Sequence, residues 1–171
     1  MAPCAVLVGA PGSGKSAVGK GLAQALGVAF RDTDVDIEAE FGTSIADQFV
    51  IDGEPIFRER ERAAVARALA EHSGVLSLGG GAVLAEDTRQ LLAEQQVVWL
   101  RVSAGEAASR VGMGVSRPLL LGNVRATLVT LLNERAPLYA EVADLTIETD
   151  GMTPVQVVEA IVALLPETEV S

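Results

Sequence analysis

Short apolar runs alternate along this chain with longer segments whose apolar residues recur at helical spacing. The apolar runs predict five strands, at residues 4–8, 28–32, 75–78, 97–102 and 144–149. The helical spacing predicts helices at 14–26, 54–72, 87–94, 104–111, 124–138 and 154–164, and a helical region at 35–50 broken at Gly42. Apolar strands that alternate with helices form parallel sheets covered on both faces, so we expect an α/β fold of three layers.

Three local signals set the expected boundaries of these elements. Asp52 is of a type that caps helices, and it precedes the predicted helix at 54–72. Pro137 should disturb the end of the helix at 124–138, because proline lacks a backbone N–H. The glycine-bracketed segment at 112–122 predicts a loop of the kind that commonly forms a lid.

The segment GAPGSGKS at residues 9–16 lies between the first predicted strand and the first predicted helix. It matches G-x-x-x-x-G-K-[ST] at every position, the signature of a P-loop. Glycines let backbone N–H groups approach phosphate oxygens, and the helix that follows adds its N-terminal dipole. We expect Lys15 to reach the outer phosphates of a nucleoside triphosphate and Ser16 to ligate Mg²⁺. The alternative is a glycine-rich turn that matches by chance.

Two aspartates follow the second predicted strand, where ligands of parallel sheets bind. The chain has no N-K-x-D segment as a GTPase would, and its third strand is followed by three glycines instead of the aspartate of motor-type ATPases. If strand geometry continues through Asp32 and Asp34, their side chains point to the same side. Asp32 is then directed towards Mg²⁺ and Asp34 towards an acceptor hydroxyl. The alternative is a solvated acidic turn in which Asp36 caps a helix.

Arginines near the other strand ends are candidate ligands for anions. Arg58 lies one turn before Glu61, a spacing typical of surface ion pairs. Arg117 lies in the predicted lid, and Arg110 and Arg135 flank that lid in sequence. Spacing alone does not join these arginines into a site. The residues without further information therefore indicate a P-loop phosphotransferase whose acceptor is unknown.

Composition narrows the class of partner. The 171 residues suit one domain, and 23 acidic against 13 basic residues give a net charge of −10, which argues against a nucleic acid partner. The single cysteine, Cys4, excludes an internal disulfide and is expected to be a small core residue. The N-terminus lacks a signal-peptide pattern and no apolar run is long enough to span a membrane, so we predict a soluble, cytoplasmic protein. No long exposed apolar stripe stands out, which favours a monomer.

Six motifs in this chain, in this order and at these spacings, resemble the shikimate kinase family. They are GAPGSGKS at 9–16, DTD at 32–34, DGEPIFRERE at 52–61, SLGGGA at 77–82, SRPLL at 116–120 and ERAPLY at 134–139. The resemblance implies the nucleoside monophosphate kinase type of fold over residues 1–171, with a five-stranded parallel sheet. It also implies a substrate-binding helical region at about 33–61 and a mobile lid at about 112–122.

The resemblance further implies transfer of the γ-phosphoryl group of ATP to the 3-hydroxyl of shikimate, on the route to chorismate and the aromatic amino acids. It places shikimate on Asp34, Arg58, Gly80 and Arg135, with Phe49 and Phe57 as candidate walls for its ring. It places Mg²⁺ on Ser16, with Asp32 nearby through water. It places ATP on Gly12, Ser13, Gly14, Lys15, Ser16, Ala17, Arg110, Arg117 and Pro154.

Within this set we expect Lys15, Asp34 and Arg117 to be catalytic: Lys15 and Arg117 by supplying positive charge, and Asp34 by orienting the acceptor hydroxyl. Two positions depart from the family pattern. Ala17 stands where threonine is frequent, and Met152 stands where a basic residue can lie near the adenine. One alternative is another small-molecule kinase of this fold, such as a gluconate kinase. The other is a nucleotide-binding regulatory module without an acceptor.

Overall fold

The computed structural model describes residues 2–112 and 121–166. Its strands are β1 (Ala5–Val8), β2 (Phe30–Asp32), β3 (Val75–Ser77), β4 (Val97–Arg101) and β5 (Leu145–Glu148). Its helices are α1 (Lys15–Leu26), α2 (Thr33–Phe41), α3 (Ile45–Ile51), α4 (Glu54–Glu71), α5 (Glu86–Leu92), α6 (Ala104–Gly112), α7 (Leu121–Val142) and α8 (Pro154–Leu164). One turn of 3₁₀ helix covers Ala82–Leu84, which the apolar pattern did not predict.

The five strands form one parallel sheet in the order β2-β3-β1-β4-β5. Strand β1 occupies the centre, where Val6 is in register with Leu76 of β3 and with Val97 of β4. The predicted five-stranded parallel sheet is therefore confirmed. Because β1 is the middle strand, the GAPGSGKS loop that follows it emerges at the centre of the sheet's carboxyl edge.

Alternate residues of the inner strands β1, β3 and β4 face two separate cores, which is why these strands read as apolar runs. One face packs on α1 and α8, through Ala5, Leu7, Val98 and Leu100 of the strands and Val18, Leu22, Val157 and Ile161 of the helices. The other face packs on α4, α5 and α7, through Val6, Val8, Leu76 and Trp99 of the strands and Val65, Leu69, Leu92 and Tyr139 of the helices. These two helical layers around the sheet confirm the three-layer prediction.

The expectation that Asp52 caps the long helix is wrong. Asp52 lies at the end of α3, where its backbone N–H donates to the carbonyl of Gln48 at 3.0 Å, and its carboxylate pairs with Arg60 at 2.9 Å. Gly53 precedes α4 instead, with a φ of 86° that favours glycine. The sharp turn between α3 and α4 therefore depends on Gly53.

Helix α7 runs through Pro137 and continues to Val142, so the predicted end at 138 is wrong. A proline inside a helix costs about 3 kcal/mol. Burial of Tyr139 and Val142 beyond it contributes roughly 1.5–3 kcal/mol each, which offsets that cost.

Helix α7 also begins at Leu121, inside the predicted 112–122 loop, and Gly112 belongs to α6. The rest of the predicted lid, with Arg117, lies outside the described residues. No helix within the described ranges is both long and apolar enough to cross a bilayer.

Candidate active site

The P-loop turns sharply from β1 into α1. Gly12 and Gly14 adopt φ angles of 82° and 90°, and Gly14 caps α1 without any side-chain hydrogen bond to the first turn. The uncapped N–H groups of α1 therefore face the loop as donors for an anion. Ser13 is buried, and its N–H donates to the carbonyl of Ala10 at 3.1 Å, whereas Ser16 and Ala17 are exposed.

Lys15 folds back over the P-loop. Its Nζ donates to the carbonyl oxygens of Gly9 at 2.6 Å and Ala10 at 3.1 Å. Burial lowers the pKa of Lys15 to about 8, although the carboxylates of Asp34 and Asp32 oppose that shift. Among the described residues the lysine is held by neutral oxygen atoms and forms no ion pair with a carboxylate, so an entering phosphate can accept its hydrogen bonds and pair with its charge.

Ser16 and Asp32 meet beside the P-loop. The Ser16 Oγ donates to Asp32 Oδ2 at 3.4 Å, and Asp32 Oδ1 accepts the backbone N–H of Asp34 at 2.8 Å. Asp32 is therefore the N-cap of α2, and the alternative in which Asp36 caps this helix is wrong. Asp36 instead pairs with Arg31 at 2.6 Å.

Strand geometry does not continue through the two aspartates. Thr33 begins α2 directly after Asp32, so strand alternation does not direct Asp34, and that part of the prediction is wrong. Asp34 lies in the first helical turn and lines the polar cavity described below. Burial raises the pKa of Asp34 to about 6, with Asp32 and Glu61 adding to the rise and Lys15 opposing it. The helix start thus separates the two carboxylates, one facing Ser16 and the other the cavity.

A cavity of about 330 Å³, here called the polar cavity, opens between α2, α4, α7 and the loop after β3. All four residues expected to bind shikimate, Asp34, Arg58, Gly80 and Arg135, line it, together with Glu61, Phe49 and Phe57. These residues come from segments that are separated by up to about a hundred positions in the sequence. The structure therefore brings together the acceptor residues that spacing alone did not join.

Arg58 is held by a buried carboxylate. Its Nη1 donates to Glu61 Oε1 at 2.8 Å, and its guanidinium lies 5.4 Å from the ring centroid of Phe49 and 5.5 Å from that of Phe57. Glu61 is only 3% exposed, and burial raises its pKa while Arg58 opposes the shift. The pair is thus part of the cavity wall, and its interpretation as a surface ion pair is wrong.

The glycine loop, residues 79–81, makes room for these charged side chains. A Cβ atom on Gly79 would lie 2.6 Å from Asp34 Oδ1, and one on Gly81 would overlap the guanidinium of Arg58. Any side chain at these two positions would therefore displace a cavity residue. Gly80 lies between them, and its carbonyl accepts the hydroxyl of Tyr139 at 2.6 Å.

Arg135 contributes the second guanidinium of the cavity from α7. Within residues 2–112 and 121–166, no carboxylate lies within ion-pairing distance of it. Its positive charge adds to the effect of burial that lowers the pKa of Lys15, and it opposes the larger effect of burial that raises the pKa values of Glu61 and Tyr139. Arg135 is therefore a positive group that faces the cavity and has no paired acid in the described part of the chain.

Arg110 joins the P-loop from α6. Its guanidinium donates to the carbonyls of Gly12 at 3.1 Å and Thr149 at 3.1 Å, and pairs with Glu106 at 3.3 Å. Pro154 is the exposed first residue of α8, after a capping box built by Thr153 and Gln156. Arg110 thus lies beside the P-loop, while the adenine contacts of Arg110 and Pro154 stay predictions.

Sequence reasoning missed the burial of Glu61 and any role for Thr33 and Tyr139. Glu61 lies at helical spacing from the apolar residues Phe57 and Val65, so its buried position on α4 was readable from the pattern. Thr33 is fully buried, and its hydroxyl lies 3.4 Å from the N–H of Gly79, which no sequence signal indicates. Tyr139 belongs to the ERAPLY motif but had no assigned role.

Three comparisons bear on this geometry. The profile of the shikimate kinase family matches residues 11–166. The chain is 58% identical over 166 residues to a shikimate kinase of Salinispora tropica, covering 97% of this chain and 99% of that one. It superimposes with a TM-score of 0.89 on the structure of shikimate kinase from Acinetobacter baumannii in complex with shikimate, at 34% identity, covering 100% of this chain and 96% of the other.

A gluconokinase from Sinorhizobium meliloti is a more distant structural match. It shares 22% identity with a TM-score of 0.59, over 93% of this chain and 89% of that chain. At this identity the likeness concerns the fold alone. The comparisons therefore favour the shikimate kinase family over the gluconate kinase alternative.

Proposed function

The chain belongs to the shikimate kinase family and is thus an ATP-dependent kinase, and we propose that it phosphorylates the 3-hydroxyl group of shikimate. The products are shikimate 3-phosphate and ADP, on the route to chorismate and the aromatic amino acids. The observation that carries this proposal is the polar cavity, because Asp34, Arg58, Gly80 and Arg135 line it together beside the P-loop.

The cavity supplies complementary groups for a small hydroxylated carboxylate. Arg135 has no acidic partner among the described residues. Arg58 donates to the buried Glu61 at 2.8 Å and, more weakly, to the exposed Glu54 at 3.3 Å, so a substrate carboxylate would displace Glu54. Guanidinium groups bind carboxylates through two parallel hydrogen bonds, so the two arginines would hold the shikimate carboxylate. The rings of Phe49 and Phe57, whose centroids lie 4.5 Å apart, would cover the apolar face of the substrate ring. Gly80 would let the backbone approach that ring closely.

Phosphoryl transfer depends chiefly on positioning and on compensation of charge. Asp34 would accept a hydrogen bond from the attacking hydroxyl and hold it in line with the γ-phosphate. Lys15 would exchange the carbonyls of Gly9 and Ala10 for phosphate oxygens. Arg117, which lies outside the described residues, would add positive charge from the lid. Gly12, Ser13, Gly14, Ser16 and Ala17 would contact the phosphates, and Arg110 and Pro154 would flank the adenine.

Ser16 and Asp32 suit a magnesium ion. Their oxygen atoms lie 3.4 Å apart at the mouth of the P-loop, and oxygen ligands are those that Mg²⁺ prefers. No group of three or more His, Cys, Asp or Glu side chains in the described part of the chain could hold a metal by itself. Ser16, with Asp32 through water, would therefore hold the ion together with ATP. When bound, Mg²⁺ neutralises negative charge on the phosphates.

An ADP-release assay with three arms tests this function. The purified chain is given ATP and Mg²⁺ with shikimate, with gluconate, or with no acceptor. We expect release with shikimate alone. Release with gluconate would support the other kinase class, and release independent of an acceptor would support a nucleotide-hydrolysing regulatory module. The monomeric state and the cytoplasmic location stay predictions from the sequence.

A further inference from the structure

The hydroxyl of Tyr139 connects α7 to the glycine loop. Tyr139 is 1% exposed, its ring stacks on Trp99 at a centroid distance of 5.6 Å, and its hydroxyl donates to the carbonyl of Gly80 at 2.6 Å. A buried hydroxyl needs a partner, and here that partner is the backbone of a residue lining the polar cavity. The ordinary pKa of a tyrosine hydroxyl is about 10, and burial raises that of Tyr139 further, so the group is a donor at neutral pH.

The position of the glycine loop determines where two cavity side chains lie. Gly79 is so close to Asp34, and Gly81 to Arg58, that neither position tolerates a Cβ atom without displacement. A shift of the Gly80 peptide by a fraction of an ångström would therefore move the loop into or away from both side chains. The loop is thus the surface against which Asp34 and Arg58 rest.

Tyr139 also lies one helical turn after Arg135. Residues four apart occupy the same face of a helix. Arg135 lines the polar cavity, and the Tyr139 hydroxyl contacts the glycine loop that borders it. The hydrogen bond to Gly80 therefore links the helix that carries Arg135 directly to the loop against which Asp34 and Arg58 rest. Thr33 contacts the same loop from α2, but at a longer distance of 3.4 Å from the N–H of Gly79.

From these contacts we propose that Tyr139 is a positioning residue for the acceptor, setting the distance between the two guanidinium groups and Asp34. This inference rests on the proposed function, since it concerns the same cavity. Tyr139 touches neither substrate in this assignment. It acts through the carbonyl of Gly80 and through the turn of α7 that it shares with Arg135.

The variant Tyr139→Phe removes the hydroxyl and keeps the ring that stacks on Trp99. Loss of the donor leaves the Gly80 carbonyl without its partner, so we expect the KM for shikimate to rise by about tenfold. The KM for ATP should stay within about twofold of the wild-type value, because the P-loop is held by separate contacts of Ser13, Lys15 and Arg110. The kcat should change less than the KM for shikimate.

The matched control is Thr130→Val, which removes an exposed hydroxyl from the same helix, where Thr130 donates only to the carbonyl of Ala126 at 3.2 Å. Initial rates and thermal melts are measured for all three proteins. A Tyr139→Phe protein with a lower melting temperature and an unchanged KM for shikimate would show a merely structural role and overturn the inference. An unchanged KM and melting temperature would overturn it too. A wild-type chain without shikimate-dependent ADP release would instead refute the proposed function.

Discussion

Gly79 and Asp34 are packed so closely that a methyl group on the glycine would come within 2.6 Å of Asp34 Oδ1. The same methyl group would lie 2.9 Å from Glu61 Oε2. Both clashes are with the ends of side chains, which can move, so the fold can accommodate a substitution that the active site cannot. A substitution of Gly79 should therefore affect activity more than stability.

Gly79→Ala should lower kcat/KM for shikimate by about 100-fold, because a displacement of about 1 Å in a reacting group has an effect of that size. The melting temperature should change little. The control is Gly105→Ala on α6, where the new methyl would have only an ordinary contact, 3.9 Å from Arg125 Nη2. Full activity of Gly79→Ala would show that the position of Asp34 is not critical.

Asp34→Asn should abolish turnover while ATP binding remains. The variant should also be more stable at pH 7. The folded-state pKa of Asp34 is raised from 3.8 to about 6, so the fold favours the protonated form, and this stability is lost as the pH rises through about 6. A neutral side chain removes that loss and should add about 1–3 kcal/mol to the free energy of unfolding. Thermal melts and single-turnover assays test both parts, and near-normal turnover would refute the role of Asp34.

The kcat/KM for shikimate should fall as the pH drops below about 6. The carboxylate of Asp34 must be ionised to accept the hydroxyl proton or its hydrogen bond, and its pKa is about 6 in the free protein. Bound ATP adds negative charge near Asp34, which raises the pKa of this carboxyl group and shifts the midpoint of the pH dependence to a higher pH. Initial rates between pH 5 and 8 measure this limb, and a constant value across that range would contradict the assignment.

Affinity for ATP should weaken above about pH 8. Burial lowers the pKa of Lys15 to about 8, so its ammonium group loses its proton as the pH rises through that value. The phosphates of ATP are already fully ionised there, so the change reports the protein. Titration of the chain with ATP between pH 7 and 9.5 gives the dissociation constants, and an unchanged affinity at pH 9.5 would contradict the prediction.

Arg135→Ala should raise the KM for shikimate by about 10- to 100-fold and leave the KM for ATP nearly unchanged. The substitution removes a charged hydrogen-bonding group from the proposed shikimate site and not from the P-loop. The control is Arg67→Ala on α4, which removes an exposed guanidinium paired with Glu40 at 3.5 Å. If both substitutions raised the KM for shikimate equally, the effect would come from the change in net charge and not from the cavity.

The three inner strands, β1, β3 and β4, were predictable because they are buried on both faces and therefore form nearly unbroken apolar runs. The edge strands β2 and β5 are only partly buried and carry charged residues, so their apolar signal is weaker. Local signals failed where tertiary packing outweighs them. Pro137 does not end α7, because the residues after it pack against the sheet. Asp52 does not cap α4, because its carboxylate is engaged by Arg60 and its N–H continues α3.

The site was predictable in its residue types but not in its pairings. GAPGSGKS and the aspartates after β2 follow from motif and position, since the carboxyl ends of parallel strands share one edge. The partnership of Arg58 with Glu61 was misjudged because spacing within a helix gives the neighbour but not the burial of the pair. The bond from Tyr139 to Gly80 joins residues 59 positions apart, and no local pattern encodes such a contact.

The central place of β1 in the strand order has an evolutionary consequence. The chain between β1 and β4 supplies Asp34, the phenylalanines, Arg58 and the glycine loop, whereas β4 and β5 lead into Arg110 and the loop before α8. Selectivity for a new alcohol can therefore arise by substitutions on the β2–β3 flank, while the central P-loop and the β4–β5 flank remain unchanged. Helix α7 carries Arg135 into the same cavity, so such a divergence would also require substitutions on α7.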